Sequence, residues 1–533
     1  MRRRVFFAAI FFVICGGSAF PAPSDRAWPT QYQPADVTLA QLVAKAETAN
    51  GAGNALRLAY ELHEGNLTGV ERQTRRGDDY RIDTTVGPFA TSRGCYRGQA
   101  WSINQNGYTL LHSGPCDADR ITPDAATLLG RLQTPSDAYA VRIARKDADA
   151  ELQFYDAATF RLMRTETSYR GKVMVTTYSG YRDVGGRFVP ATIAFDDGDP
   201  ADASVATLHD ASQTEVVDQQ LAVPPGRRQP LAFPPGVTNV RLPARVTRLG
   251  YMIVRVQING RALDFALDSG ASGLLIDRNV GAELGLPVYR RSPATTGWAF
   301  AADDTMIPKM TIGDLTMTNV AVGLESLAHR GDAQSEIVGL LGFDFLAGGV
   351  FKLDYVHGTV DAMAYDTPFP SGTFAVDVGL DRAIPTMPVG INGVVAHRFL
   401  VDTGIPIVIV FDGFASAHPG LVKDHAPGRE ITLSELRPSG PRYQIFGAGG
   451  QVRGRSLVLE RLQLGPVAFD NYLAGLLYEK RPAVHETLDG LLGASMLSAF
   501  DVYFDYANSR VGFALNDAGK KHKSARGYGT PVP

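Results

Sequence analysis

Apolar and polar residues alternate with a period of two over much of the chain, and glycine, asparagine and aspartate interrupt the alternation at short intervals. That is the pattern of half-buried strands joined by tight turns, and it predicts a mainly β protein. Met252, Val254, Val256 and Ile258 alternate with Ile253, Arg255 and Gln257, reach Asn259-Gly260, and return through Leu263, Phe265 and Leu267. Asn-Gly between two such runs predicts a hairpin with a type I′ turn. The events recur later: Met387, Val389 and Ile391 lead to Asn392-Gly393, and the chain returns through Phe399 and Val401.

Nearer the amino terminus the period changes to that of a helix. Leu39, Leu42, Val43 and Ala46 share a face, Asp36 stands in a capping place, and Asn50-Gly51 ends the run. Strands are predicted at Tyr80 to Thr84, Glu151 to Tyr155, Lys172 to Tyr178 and, after Gly185-Gly186, Phe188 to Phe195. Strands at this spacing around one helix predict an antiparallel half-barrel over residues 25–222. Six prolines lie between Pro224 and Pro243, beside Arg227-Arg228, so residues 223–244 read as a stiff linker. Asp277 to Leu286 predicts a short helix, and the polar, basic residues 517–533 predict a flexible tail.

Composition adds bounds. A chain of 533 residues with 45% hydrophobic residues and a net charge of −3 has room for about two to four packed domains and carries no basic surface for nucleic acid. Arg2 to Arg4, a short apolar run to Cys15, and the small residues Gly17 and Ala19 predict a signal peptide over residues 1–19, hence a periplasmic or secreted protein. No later stretch is long and apolar enough to span a membrane as a helix. Cys95 and Cys116 remain, an even number that predicts a disulfide in an exported protein. The scattered histidines give no metal-binding spacing, so no metal and no cofactor is expected.

The candidate chemistry lies in the repeat. Phe265-Ala266-Leu267-Asp268-Ser269-Gly270 recurs as Phe399-Leu400-Val401-Asp402-Thr403-Gly404. Downstream, Ile337-Val338-Gly339-Leu340-Leu341-Gly342 recurs as Leu488-Asp489-Gly490-Leu491-Leu492-Gly493, and each is followed by a strand ending in Asp-Tyr, at Asp354-Tyr355 and Asp505-Tyr506. Four features in one order, with the acids 134 positions apart, mark an internal duplication.

Hairpin, apolar strand, Asp-Thr/Ser-Gly and a distant apolar-apolar-Gly element resemble the half-site of the aspartic peptidases, and the short lobes resemble their bacterial retropepsin-like branch. The resemblance covers about residues 245 to 516. It implies two pseudo-symmetric β lobes, 245–370 and 371–516, pairing within one chain, each giving one catalytic acid, Asp268 and Asp402. Two carboxyls in contact share one proton, and such a pair activates water against a peptide bond without metal, cofactor or covalent intermediate. Gly270 and Gly404 would let the loops turn tightly, and the Ser269 and Thr403 hydroxyls would bond across to the opposite loop. Trp298 resembles a residue of a flap over the cleft, with Phe446 and Gly447 as counterparts in the second lobe. The second copy continues Ile405-Pro406, where the family usually has Ala, Ser or Thr.

Residues 25–222 are similar in pattern to the lipoprotein carrier and sorting half-barrels of bacterial envelopes. The expected function is that of an exported aspartic endopeptidase acting on polypeptide. The alternative is a non-catalytic envelope protein that binds peptide or lipid on the same fold.

Overall fold

The computed structural model describes residues 27–51, 55–112, 116, 125–145, 148–169, 172–198, 203–224, 231–290, 303–327, 337–380, 383–419, 421, 446–447, 450–451, 454–477 and 488–524. The expected leader at 1–19, Trp298 and the end of the tail at 525–533 lie outside the described residues. The chain is mainly β, as its alternation predicts, and forms two compact units: Met1–Arg227 with Tyr289–Pro293, and Arg228–Val288 with Ala294–Pro533.

The first unit is built on an open sheet of thirteen strands, antiparallel throughout its assigned pairs. Strand Leu56–Glu64 joins Ser204–Gln213, so the first and last runs of the unit meet in the middle of the sheet. Along Leu56–Glu64 every second residue is buried, which puts Leu56, Leu58, Tyr60 and Leu62 in the core. Helix Leu39–Asn50 lays Leu42 and Ala46 on Tyr139, Val141, Ile143 and Tyr155. Cys95 and Cys116 form a disulfide with their Cα atoms 5.6 Å apart.

In the second unit two successive halves repeat one path. The first hairpin, Met252–Ile258 with Arg261–Leu267, turns at Asn259 and Gly260 with φ of 49° and 78°. The second, Thr386–Ile391 with Val394–Val401, turns at Asn392 and Gly393 with φ of 49° and 87°. Two consecutive left-handed residues are what a type I′ turn requires. Each outgoing strand then runs parallel to a short strand from far downstream, Phe265 opposite Gly339 and Phe399 opposite Gly490. Long hairpins, Asp303–Ile312 with Leu315–Glu325 and Gly454–Leu464 with Val467–Leu477, complete the halves. The second half closes into a six-stranded barrel, whereas strands of the first half continue into a larger sheet.

That sheet joins the halves. Val350–Asp354 of the first pairs antiparallel with Phe500–Asp505 of the second, Lys352 opposite Tyr503. These two residues hold the same place in the repeat, so the local two-fold passes between them. Phe345, Phe351, Phe500, Phe504 and Phe513 are fully buried around this ladder.

Four expectations are corrected. The helix cap is Thr38, whose hydroxyl accepts from the Gln41 amide at 3.2 Å, while Asp36 instead accepts from the Tyr139 hydroxyl at 2.6 Å. The stretch read as a linker over 223–244 contains strands Leu231–Ala232 and Asn239–Val246. Pro243 is tolerated because the strand changes partners there, from Thr359–Met363 to Met252–Ile258, where a missing donor breaks no rung. The run Phe188 to Phe195 is two strands, Arg187–Val189 and Thr192–Asp196, parted at Pro190. The start of the expected tail is a helix, Asp517–Ser524, begun by Asn516, whose side chain accepts from the Gly519 amide at 2.9 Å. No helix among the described residues is long and apolar enough to cross a membrane.

Candidate active site

Strand Arg261–Leu267 ends at Asp268, whose amide donates to the carbonyl of Leu341 at 3.0 Å. Strand Val394–Val401 ends at Asp402, whose amide donates to Leu492 at 3.1 Å. Both acids therefore leave a strand at the same step and are held by the same neighbour, the strand carrying Gly339 or Gly490. Asp268 is buried and Asp402 half-buried.

The two loops grip each other. The Thr403 hydroxyl donates to the carbonyl of Leu267 at 2.8 Å and accepts from the Ser269 amide at 2.9 Å. The Ser269 hydroxyl donates to Val401 at 2.7 Å and accepts from the Thr403 amide at 3.0 Å. Both side chains are wholly buried, so every hydrogen bond in this exchange is shielded from water.

Within each loop the glycine amide donates to its own acid, Gly270 to Asp268 Oδ1 at 3.1 Å and Gly404 to Asp402 Oδ1 at 2.9 Å. Each acid also lies over the opposite glycine. A Cβ on Gly270 would stand 2.7 Å from Asp402 Cγ, and one on Gly404 would stand 2.4 Å from Asp268 Cγ. Only a residue without a side chain lets the carboxyls come this close to the opposite loop. The acids predicted from the repeat, together with Ser269, Gly270, Thr403 and Gly404, are thus brought to one place.

The departure at Ile405-Pro406 is absorbed. Ile405 is buried among Ile384, Leu400, Ile409, Phe411 and Leu491, turned away from solvent. Its carbonyl accepts from the Ala494 amide at 2.8 Å, just as Ala271 accepts from Phe343 at 2.9 Å in the first half. The two loops are anchored alike despite the bulkier side chain.

Phe446–Gly447 pairs with Gly450–Gln451 in a two-residue ladder, so the backbone there is a small hairpin. Trp298, its expected counterpart, falls outside the described residues.

Two residues near the acids escaped the sequence reading. Tyr355 and Tyr506 follow the strand-ending Asp354 and Asp505 and are buried, at 7% and 4% exposure. Burial, with the charges of Asp268 and Asp402 adding to it, pushes the Tyr506 hydroxyl far above the usual phenol range. Burial and Asp402 raise Tyr355 in the same direction. The repeated Asp-Tyr at the end of both strands was the available signal.

Residues 254–345, which include Asp268, match the family described as aspartyl protease. No curated protein matches the chain in sequence. Among solved structures, a LolA superfamily protein from Nitrosomonas europaea is similar at 14% identity over 35% of this chain and 98% of its own, with a TM-score of 0.30. Basic 7S globulin from soybean is similar at 12% identity over 53% of this chain and 96% of its own, with a TM-score of 0.31. A retropepsin-like aspartic protease from Rickettsia conorii is similar at 18% identity over 24% of this chain and 90% of its own, with a TM-score of 0.18.

Proposed function

We propose that the chain is an exported aspartic endopeptidase in which Asp268 and Asp402 form one catalytic dyad. The observation that carries this reading is the reciprocal placement of each carboxyl over the glycine of the opposite loop, locked by the exchanged Ser269 and Thr403 hydrogen bonds. Two carboxyls held this way do not both ionise freely, and the pair retains one proton. The ionised member takes a proton from water as it attacks the peptide carbonyl. The protonated member donates to the developing oxyanion and then to the leaving amine. No covalent intermediate forms.

Ser269, Gly270, Thr403 and Gly404 keep the dyad in register. Residues 245–370 and 371–516 act as the two lobes, with the polypeptide substrate between them. The family match supports the first lobe, and the repeated path of the chain extends the reading to the second. The Phe446–Gly447 hairpin is assigned as a flap. The arginines and short apolar run at 2–15 and the Cys95–Cys116 bond support the reading of export to the periplasm or beyond.

The test is incubation of the whole protein with a denatured protein across a series of acidic pH values, with and without a pepstatin-like transition-state mimic. Expected are cleavage that the mimic blocks and a loss on the order of 10²–10⁴-fold in Asp268→Asn and in Asp402→Asn. Undiminished hydrolysis in either variant would refute the shared-proton dyad. Peptide or acyl-chain binding with no cleavage at any pH replaces this reading by that of a non-catalytic binding protein.

A further inference from the structure

Residues Tyr289–Pro293 belong to the first unit, although the chain just before and just after them belongs to the second. The thirteen-stranded sheet of the first unit is built entirely from residues 56–213 and has its own apolar core. Tyr289 and Arg290 are therefore additions to a finished sheet and not parts of its frame.

The place they occupy is defined by the strand register. Phe89 lies opposite Val86, Val86 opposite Gly69 and Gly69 opposite Leu62, so the four share one face across four strands. Glu64, two positions beyond Leu62 on its strand, shares that face and is only 2% exposed. The Arg290 side chain, 13% exposed, reaches the same face: its Nη1 donates to Glu64 Oε1 at 3.0 Å, and its guanidinium stands 4.6 Å from the centre of the Phe89 ring. Tyr289 meets that ring edge-on, with centroids 5.6 Å apart and planes 86° apart.

A buried ion pair adds little stability over two apolar residues of the same size, because both charges lose their water, whereas a buried acid without a cation is strongly destabilising. A carboxylate at the end of the apolar row thus makes the face selective, since whatever covers it must bring a cation. The ring narrows the choice, because a guanidinium is planar, weakly hydrated and stacks on an aromatic face, while an ammonium holds its water. We propose that Glu64 and Phe89 form an arginine-binding site of the first unit. Its ligand is a polypeptide segment carrying arginine after an aromatic residue, and the chain's own Tyr289-Arg290 is the resident occupant. A segment that adds two side chains to a complete sheet can be exchanged for another of the same chemistry. The inference stands apart from the dyad reading, and neither depends on the other.

The probe is a labelled peptide of residues 287–293, Pro-Val-Tyr-Arg-Arg-Ser-Pro, titrated by fluorescence anisotropy into the full chain and its variants. In the unmodified protein the tethered segment competes at the high effective concentration of a short link. Arg290→Ala vacates the site, so the peptide is expected to bind that variant at least about tenfold more tightly than the unmodified chain. Arg290→Lys keeps the cation but not the planar fork, so its affinity should fall between the two, and it carries the comparison if Arg290→Ala does not fold. Adding Glu64→Gln to Arg290→Ala, or replacing both arginines of the peptide by alanine, should weaken binding at least about tenfold. The double variant leaves no buried charge unpaired, so its circular dichroism should match that of the unmodified chain and separate lost binding from lost structure. Equal affinity across the variants, or no binding to any of them, overturns the inference and leaves Arg290 as a fixed internal tie.

Discussion

Ser269 and Thr403, 134 positions apart, exchange hydrogen bonds: the amide of each donates to the hydroxyl of the other, at 2.9 and 3.0 Å. Each hydroxyl also donates to the carbonyl just before the opposite acid loop, so one buried ring of four bonds fixes both loops at once. Thr403→Val keeps the shape and removes the hydroxyl, which leaves the Ser269 amide and the Leu267 carbonyl without their partner. At about 1–3 kcal/mol for each buried group so orphaned, the variant is expected to lose several kcal/mol in urea unfolding together with its peptidase activity. Thr403→Ser restores the donor and should recover both. Recovery of stability without activity would show that the ring holds the fold and not the dyad.

Substitution of either loop glycine tests the carboxyl placement directly. A Cβ at position 404 would lie 2.3 Å from Asp268 Oδ1, and one at position 270 would lie 2.7 Å from Asp402 Oδ1. Both require a carboxyl to move, and the shorter approach requires the larger movement. Gly404→Ala is expected to reduce kcat more than Gly270→Ala, each with little effect on urea midpoint compared with Thr403→Val. Equal kcat in both variants and the unmodified chain would place the acids elsewhere in the working enzyme.

What was legible in the sequence was what neighbouring residues decide among themselves. Asn259-Gly260 and Asn392-Gly393 specify their turn because few other residues accept two left-handed conformations in a row. The acid loops were legible for a different reason, since a motif written twice in one order constrains its own three-dimensional partner. The misses at Asp36 and Pro243 turn on distant contacts, whereas those at Pro190 and Asn516 are local. Asp36 and Thr38 are both good caps, and Asp36 was taken from the helix by Tyr139 and Arg131 on strands about a hundred residues away. Pro243 reads as a breaker until the partner strand is seen to change at that residue. Alternation says that Tyr355 and Tyr506 turn inward but not that they lie within electrostatic reach of the acids, which depends on how the Val350–Asp354 and Phe500–Asp505 strands pair.

The same ladder makes a charge prediction. Asp354 and Asp501 stand directly opposite each other, and Lys352 bridges them, with Nζ 3.1 Å from Asp354 and 2.8 Å from Asp501. Lys352→Met removes the cation and leaves two carboxylates facing each other across paired strands, which is unfavourable. A loss of about 1–3 kcal/mol is expected in urea unfolding near neutral pH. The deficit should shrink as pH falls through the carboxylate range, because protonation removes the repulsion, and the double variant with Asp501→Asn should recover most of it at all pH values. A deficit that stays constant with pH would assign the effect to lost packing of the lysine stem.

The proposed peptidase activity is to be tested in acid, where the first unit must stay folded, and Asp218 gives a way to measure this. Its carboxyl pairs with Arg76 at 2.6 Å and Arg97 at 2.7 Å. Arg76 first, then the Tyr96 hydroxyl and Arg97, hold it down at about 2. The unfolded chain returns it to about 3.9. A carboxyl whose folded value is depressed stabilises fully above its unfolded value and loses that contribution as pH falls through the folded one. The difference in thermal midpoint between the unmodified protein and Asp218→Asn should therefore be level above about pH 5, shrink below about pH 4, and vanish near pH 2. Because the group is exposed, salt should reduce the level part of that difference. If the difference instead persists unchanged to pH 2, the clamp is held by neutral hydrogen bonds and not by the charge of Asp218.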